Sequence, residues 1–420
     1  MKKLLFLALA LAACTPALPT STGKSHHAKS THTSSDDDDD DTQSSDLDSP
    51  GESTSTAPSE PDPIVDTREL DPFFAAQMKA GNIPGIGIAV VRDGHLKWTK
   101  GYGLADIAAK KAVGRDTLFM LASVSKTITT VALMQLIEDP KNGVSLDDDV
   151  SVKAGFTVRN PRFTSTKITY RMLLTHTSSL IDGEKYFDAP YAKGDSPTSL
   201  ESFEKAAIAD PERWQPNAPG EQFEYSNTAI ALAGLLAEKI SGQNLQTYAK
   251  AHIFDPLGMK ETSYFFKGLD PSHIAQPYDG PNLEPQGYYG YPDYPAGQIR
   301  TSAPQLAKFL EMFSEGGALG NVRLLKADTV RQMMSIQVPQ VAPAQGLTFY
   351  FDDTKATGKD LLGHEGADKG VSTQMFFDPA TKAGYILLMN ARDQLDDVDA
   401  VDQAIGNMTN KLMELAVTLP

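Results

Sequence analysis

The chain has one cysteine in 420 residues, Cys14, so no disulfide can form within it and a folded core must supply its stability. Basic residues are outnumbered, with 38 Lys and Arg against 54 Asp and Glu. Of the net charge of −16 the folded part carries about −8, and such a mildly acidic body argues against a nucleic-acid partner, since phosphate binding needs a basic face. Long apolar runs are scarce as well. The run from Leu4 to Ala13 is too short to cross a bilayer as a folded helix. Apolar residues nevertheless make up 40% of the chain, enough to bury a large core.

Lys2 and Lys3 precede that short run and Cys14 follows it, the pattern of a signal peptide. The stretch "LAAC" resembles a bacterial lipobox, in which Cys14 would be lipidated and become the new N-terminus. Residues 1–14 are therefore expected to be a signal, and the protein an exported lipoprotein of the cell envelope. Thr15 rather than Asp after the cysteine leans towards the outer membrane. From Thr15 to Asp66 the sequence is Ser, Thr, Pro and Asp with almost no large apolar side chain. Such a segment cannot bury enough surface to offset ordering entropy, so it is expected to be a disordered tether. Twelve acids against two lysines put most of the net charge there, including the run Asp36–Asp41.

The folded part is expected over residues 67–417. "ELDPFFAAQMKAG" predicts a helix closed by Gly81. "GIGIAVVRDGHLKWTKGYG" predicts two strands joined at Asp93-Gly94. "LFMLASVSKTITTVALMQLIED" predicts a helix apolar nearly all round, hence buried. The middle, from about 146 to 317, reads as mostly helical, with Ser302 and Gln305 as a capping box. Two β-rich runs surround Asp378-Pro379, and an amphipathic helix from about Val398 to Leu415 closes the chain. Strands at both ends and helices between predict an α/β fold of the α+β type: one antiparallel sheet from N- and C-terminal segments, with a helical insertion.

Three short motifs carry chemistry. Ser123 stands three residues before Lys126 at the start of the buried helix, a spacing that puts both on one face within about 5–6 Å. Burial and the helix N-terminus would lower the lysine pKa towards a value useful for a base. Tyr225-Ser226-Asn227 is the only Tyr-x-Asn; its phenol can relay a proton, and Asn227 reads equally as the cap of the helix that follows. His364-Glu365-Gly366 is the only His-x-Gly, ahead of a strand. Its histidine is a near-neutral proton carrier, and its glycine allows close approach to the backbone.

In this order the motifs resemble those of the serine β-lactamase and penicillin-binding superfamily, specifically the class C-like branch. The phrases "IPGIGIAVVRDG", "LLTHTSSL", "PGEQFEYSNTAIALAGLLAEKISG", "IFDPLGMKET" and "GHEGADKG" extend the resemblance from about residue 67 to 417. It implies a serine hydrolase acting through an acyl-enzyme on esters, D-amino-acid peptides or β-lactams. Ser123 would be the nucleophile, and Lys126 and Tyr225 would share its proton. Asn227 would orient the acyl side, and His364 would support Tyr225 or bind a substrate carboxylate. The N–H groups of Ser123 and of Ala367, which follows Gly366, would form the oxyanion hole. No metal or cofactor is implied; the partner is a small-molecule or peptide substrate, with peptidoglycan fragments among the candidates. The alternative is a slowly deacylating or non-catalytic sensor of cell-wall fragments.

Three positions depart from the family pattern. His364 stands where β-lactamases of this branch carry lysine, which weakens the antibiotic-hydrolase reading. Ser179 replaces a common glycine, and Gln298 replaces another near the expected rim, where it would narrow or polarise the pocket. Tyr288, Tyr289, Tyr291 and Tyr294 form either an aromatic wall or a surface loop.

Overall fold

The computed structural model describes residues 65–183, 191–352, 360–392 and 398–419. Cys14, the signal and nearly all of the expected tether lie outside the described residues. The first helix, α1, spans Leu70–Ala80 and stops at Gly81, as the sequence predicts. Strands β1 (Gly85–Arg92) and β2 (His95–Asp106) form the predicted hairpin, with Asp93 and Gly94 both at positive φ in its turn. A short β3 (Lys111–Ala112) extends β2 at the edge.

The chain then leaves the sheet and builds the helical layer: α2 (Ser125–Glu138), α3 (Asn227–Ser241) and α4 (Ala303–Ser314), among shorter turns. It returns in β4 (Tyr350–Asp352), β5 (Leu361–Asp368), β6 (Val371–Asp378) and β7 (Ala383–Met389). The order across the sheet is β4-β5-β6-β7-β1-β2-β3, and every pairing is antiparallel. The C-terminal hairpin thus docks beside the N-terminal one through β7 and β1, Ile86 opposite Met389. A last helix, α5, runs from Val398 to Thr418.

Both faces of the sheet are covered, which is why β1 reads as an unbroken apolar run. Ile86, Ile88 and Val90 join Phe74 of α1 and Met408 and Leu412 of α5 in one core. Ala89 and Val91 face the other way, into the core that holds Ile128 of α2 and Phe309 and Phe313 of α4. Helix α4, placed in the helical middle by sequence, packs on β1, β2 and β7. Its expected capping box does not form. The Ser302 hydroxyl makes no bond to the helix backbone and instead accepts from Gln305 Nε2 at 3.0 Å. The other end of that amide is drawn away, because Gln305 Oε1 accepts from the Glu261 N–H at 2.9 Å.

Helix α2 lies against α3, and the turn Tyr294–Ala296 is pressed onto both. Gly234 of α3 makes that approach possible, since a Cβ there would meet the Pro295 ring at 2.5 Å. The seat of this turn matters for chemistry, because it delivers the Ala296 carbonyl to the end of α2.

Candidate active site

Ser123 sits in a single 3-10 turn, Ala122–Val124, just ahead of α2 rather than within it. Ala122 has φ +45°, a conformation that costs L-residues roughly 1–2 kcal/mol and is held here by its surroundings. The Leu121 N–H donates to Ile299 O at 2.8 Å, and the Leu121 carbonyl accepts from Thr373 Oγ1 at 2.6 Å. The turn still places residues 123 and 126 on one side. Lys126 Nζ donates to Ser123 Oγ at 2.8 Å and to the Ala296 carbonyl at 2.6 Å.

Lys126 is fully buried, and loss of hydration pulls its pKa down to about 7, against the opposing carboxylates of Asp182, Asp293 and Asp368. Near neutral pH a large fraction is therefore uncharged. A neutral amine that still donates to Ala296 keeps a lone pair for the Ser123 proton.

Tyr225 lies over the pair, with Lys126 Nζ 5.1 Å from the ring centroid and a hydrogen bond between its hydroxyl and Ser123. The side chain as a whole is 38% exposed, yet its hydroxyl end is enclosed, and burial raises the phenol pKa above its ordinary value. At rest Tyr225 is thus a proton holder.

The third motif lies on β5. A Cβ on Gly366 would fall 2.5 Å from Leu121 O and 2.8 Å from Ser123 N, so only glycine lets this strand reach the serine. Strand β4 covers β5 only from Leu361 to Gly363. Beyond that point the antiparallel alternation turns the Ala367 N–H outward, away from β6 and towards the serine side. Two N–H groups, those of Ser123 and Ala367, are therefore available for one developing oxyanion. His364 is buried, with its Nδ1–H donating to Glu365 O at 2.5 Å and its ring edge-on to Tyr350 at 5.4 Å. Burial, helped by Lys126, takes its pKa down to about 3, so it carries no charge at neutral pH. Its ring centroid is 6.3 Å from that of Tyr225.

Asn227 does not cap α3, so the second of its two readings does not hold. Ser226 does, its hydroxyl accepting from the Ala229 N–H at 2.9 Å, which leaves Asn227 as the first helical residue. Its amide is oriented by Asp182. That carboxylate accepts from Asn227 Nδ2 at 2.8 Å, from the N–H groups of Asn227 and Thr228 at 3.1 and 2.9 Å, and from the Thr228 hydroxyl at 3.0 Å. A carboxylate only accepts, so Nδ2 is fixed towards it and Oδ1 is presented to the site.

Sequence reasoning missed two residues, Asp182 and His176, both within or just after "LLTHTSSL". The available signal was a run of polar side chains inside an apolar stretch. Thr175 to Ser179 are all buried, and buried polar groups are there to bond something. Ser179 has φ +62°, which accounts for glycine being the common residue there.

Two expectations are corrected. Gln298 is fully buried and does not face a pocket: Nε2 donates to Tyr264 O at 2.8 Å and Oε1 accepts from the Tyr291 N–H at 2.7 Å. The tyrosines divide. Tyr289 packs with Met120, Ala122 and Val371, and Tyr291 packs against that group, so both stand beside the serine turn. Tyr191 meets them edge-on at 5.0 and 5.8 Å, and its hydroxyl donates to Asp368 at 2.8 Å. Tyr288 and Tyr294 turn away, onto Phe266 and Phe265.

An antiparallel sheet faced by helices, with a serine, a buried lysine and a tyrosine meeting at its edge, is the architecture of penicillin-recognising serine proteins. The chain belongs to the Beta-lactamase family, whose model matches residues 70–407. It is 24% identical over 330 residues to Protein flp of Staphylococcus aureus strain MW2, covering 78% of this chain and 64% of that one. It is 26% identical over 369 residues to the unguisins hydrolase ungD of Aspergillus violaceofuscus, covering 78% and 63%. The chain therefore spans less than two thirds of the length of these curated relatives. Among solved structures, the octameric penicillin-binding protein homologue of Pyrococcus abyssi superposes with a TM-score of 0.67 at 26% identity, over 83% of this chain and 78% of that one. The D-amino acid amidase of Ochrobactrum anthropi shares the fold with a TM-score of 0.67 at 22% identity, over 83% and 98%.

Proposed function

We propose that this protein is a serine hydrolase that cleaves esters or amides through an acyl-enzyme on Ser123. The observation that carries the reading is the 2.8 Å approach of a lysine with a pKa near 7 to the serine hydroxyl. Uncharged Lys126 takes the Ser123 proton as Oγ bonds to the carbonyl carbon, and the oxyanion settles between the Ser123 and Ala367 N–H groups. Tyr225, whose phenol is protonated at rest, gives its proton to the leaving group and is reprotonated from Lys126. Water then attacks the acyl-enzyme, losing its proton to the same pair, and Ser123 is restored.

Within this class we place an esterase or a peptidase for D-amino-acid substrates ahead of a β-lactamase. A neutral, buried His364 offers no charge to a β-lactam carboxylate. The carboxylates of Asp182, Asp293 and Asp368 around Lys126 would oppose one as well. Among the structural neighbours are EstCE1, described as a hydrolase with promiscuous acyltransferase activity, and the D-amino acid amidase, which supports both branches. The test is turnover of a p-nitrophenyl ester, a D-amino-acid amide and a chromogenic cephalosporin by the wild type and by Ser123→Ala. Turnover of the ester or amide, lost in the variant, is expected. Undiminished turnover by Ser123→Ala would rule the nucleophile out, and a cephalosporin cleaved faster than both others would reverse the ranking.

A further inference from the structure

The segment that carries Tyr225 is gripped by one residue of the preceding loop. The His176 carbonyl accepts from the Glu224 N–H at 2.8 Å, and its Nδ1 accepts from the Ser226 N–H at 3.2 Å. These bonds fall on either side of Tyr225. The imidazole also lies against the phenol, with ring centroids 4.6 Å apart, and meets Phe223 edge-on at 5.9 Å.

The tautomer follows from the donor. A backbone N–H can only donate, so Nδ1 must carry a lone pair and a neutral ring keeps its proton on Nε2. Nε2 is buried with no hydrogen-bond partner among the described residues. Leaving a buried donor unpaired is unfavourable, and of the two ring nitrogens Nδ1 is the one that makes a hydrogen bond. The backbone points the same way: His176 has φ +56°, a region where Asn, Asp, His and glycine are the tolerated residues.

We propose that His176 is a positioning residue for Tyr225: its Nδ1, by holding the Ser226 N–H, fixes the turn that aims the Tyr225 hydroxyl at Ser123. The consequence for turnover rests on the hydrolase reading above; the structural clamp does not. The charged or titratable groups facing His176 are Tyr225 on its flat side and Lys126 and His364 across the site. Burial first, and then Lys126 where it is charged, resist its protonation, so the acceptor persists through the neutral range.

Two variants separate this role from simple packing. His176→Gly accepts the positive φ without strain but removes the acceptor. His176→Asn accepts the same φ and restores an acceptor oxygen near the Nδ1 position while discarding the ring. The expected result is a fall in kcat of about 10²-fold in His176→Gly with little change in KM, and near wild-type kcat in His176→Asn. Amide hydrogen exchange across residues 223–228 should quicken in the glycine variant and stay protected in the asparagine variant. Should His176→Gly not fold, His176→Ala removes the acceptor with less strain at this φ than any larger side chain would bring. Unchanged exchange in the acceptor-free variant would overturn the proposal, as would equal loss of kcat in His176→Asn with exchange intact. If the wild type turns over no substrate, the hydrolase reading fails, while the exchange comparison still decides the clamp.

Discussion

Lys126 shows how one residue is tuned against the rest of the molecule. A buried amine is unfavourable as a cation, and the protein keeps it for the lone pair that burial exposes near neutral pH. Two outcomes follow at this scale. The acylation rate should rise with pH through about 7, as Lys126 loses its proton, and then level off, because Tyr225 titrates above its ordinary range. Single-turnover rates from pH 5 to 9 check this; a rate flat through 7 would remove Lys126 as the base. The linked stability also rises with pH, but over a higher window. The folded pKa lies below the unfolded value of about 10.4, so between roughly pH 7 and 10 the unfolded chain binds more protons and stability increases with pH. Below 7 the fold carries the full penalty of a buried cation. Lys126→Met, of similar volume and without charge, should abolish turnover and raise Tm by several degrees at pH 6. A lowered Tm in that variant would show that the two hydrogen bonds of the ammonium outweigh its desolvation.

At the scale of elements, the site is a meeting of three pieces: the turn before α2, the start of α3 and the open edge of β5. Asp182 ties the second of these down with four hydrogen bonds. Asp182→Asn would replace an acceptor-only group with an amide that can turn either way, so the Asn227 amide would lose its fixed orientation. We expect kcat/KM for substrates with an acyl-side N–H to fall more than for simple esters, with stability reduced by about 2 kcal/mol. Equal losses for both substrate types would mean that Asn227 does not read the acyl side. This contrast also shows what the sequence could tell and what it could not. Ser123, Lys126, Tyr225 and His364 stand out because their three short motifs follow one another in the order of a known family, although serine three before lysine also occurs at Ser21/Lys24 and Ser202/Lys205. The hairpin of β1 and β2 stands out because its turn must be Asp-Gly or its like. Asp182 and His176 act on groups dozens of residues away, and Gln298 ties Tyr264, 34 residues back, to Tyr291, so no local pattern announces such bonds. Gln298 was misplaced because the family resemblance put it near the active-site rim, while its actual partners, Tyr264 and Tyr291, are visible only once the chain is folded.

For the whole molecule, the pairing of β1 with β7 closes the sheet from opposite ends of the chain, so the helical layer is enclosed before the sheet is complete. The proposed site residues all lie between Ser123 and Ala367, inside that closure. The same separation makes the N-terminal segment a candidate for delivery rather than catalysis. We propose that Cys14 is lipidated and that the acidic stretch from Thr15 to Asp66 holds the domain away from the membrane surface, its carboxylates repelling one another and the anionic lipid alike. A single chain gives only marginal anchoring, whereas the two or three acyl chains of a bacterial lipoprotein give stable attachment. Cys14→Ser should therefore move the protein from the membrane to the soluble fraction, with kcat/KM per folded molecule unchanged. Deletion of Thr15–Asp66 with Cys14 retained should leave it membrane-bound and equally active on a small soluble ester. Retention of Cys14→Ser in the membrane fraction would overturn the anchor, and loss of ester turnover in the deletion would show that this stretch belongs to the enzyme.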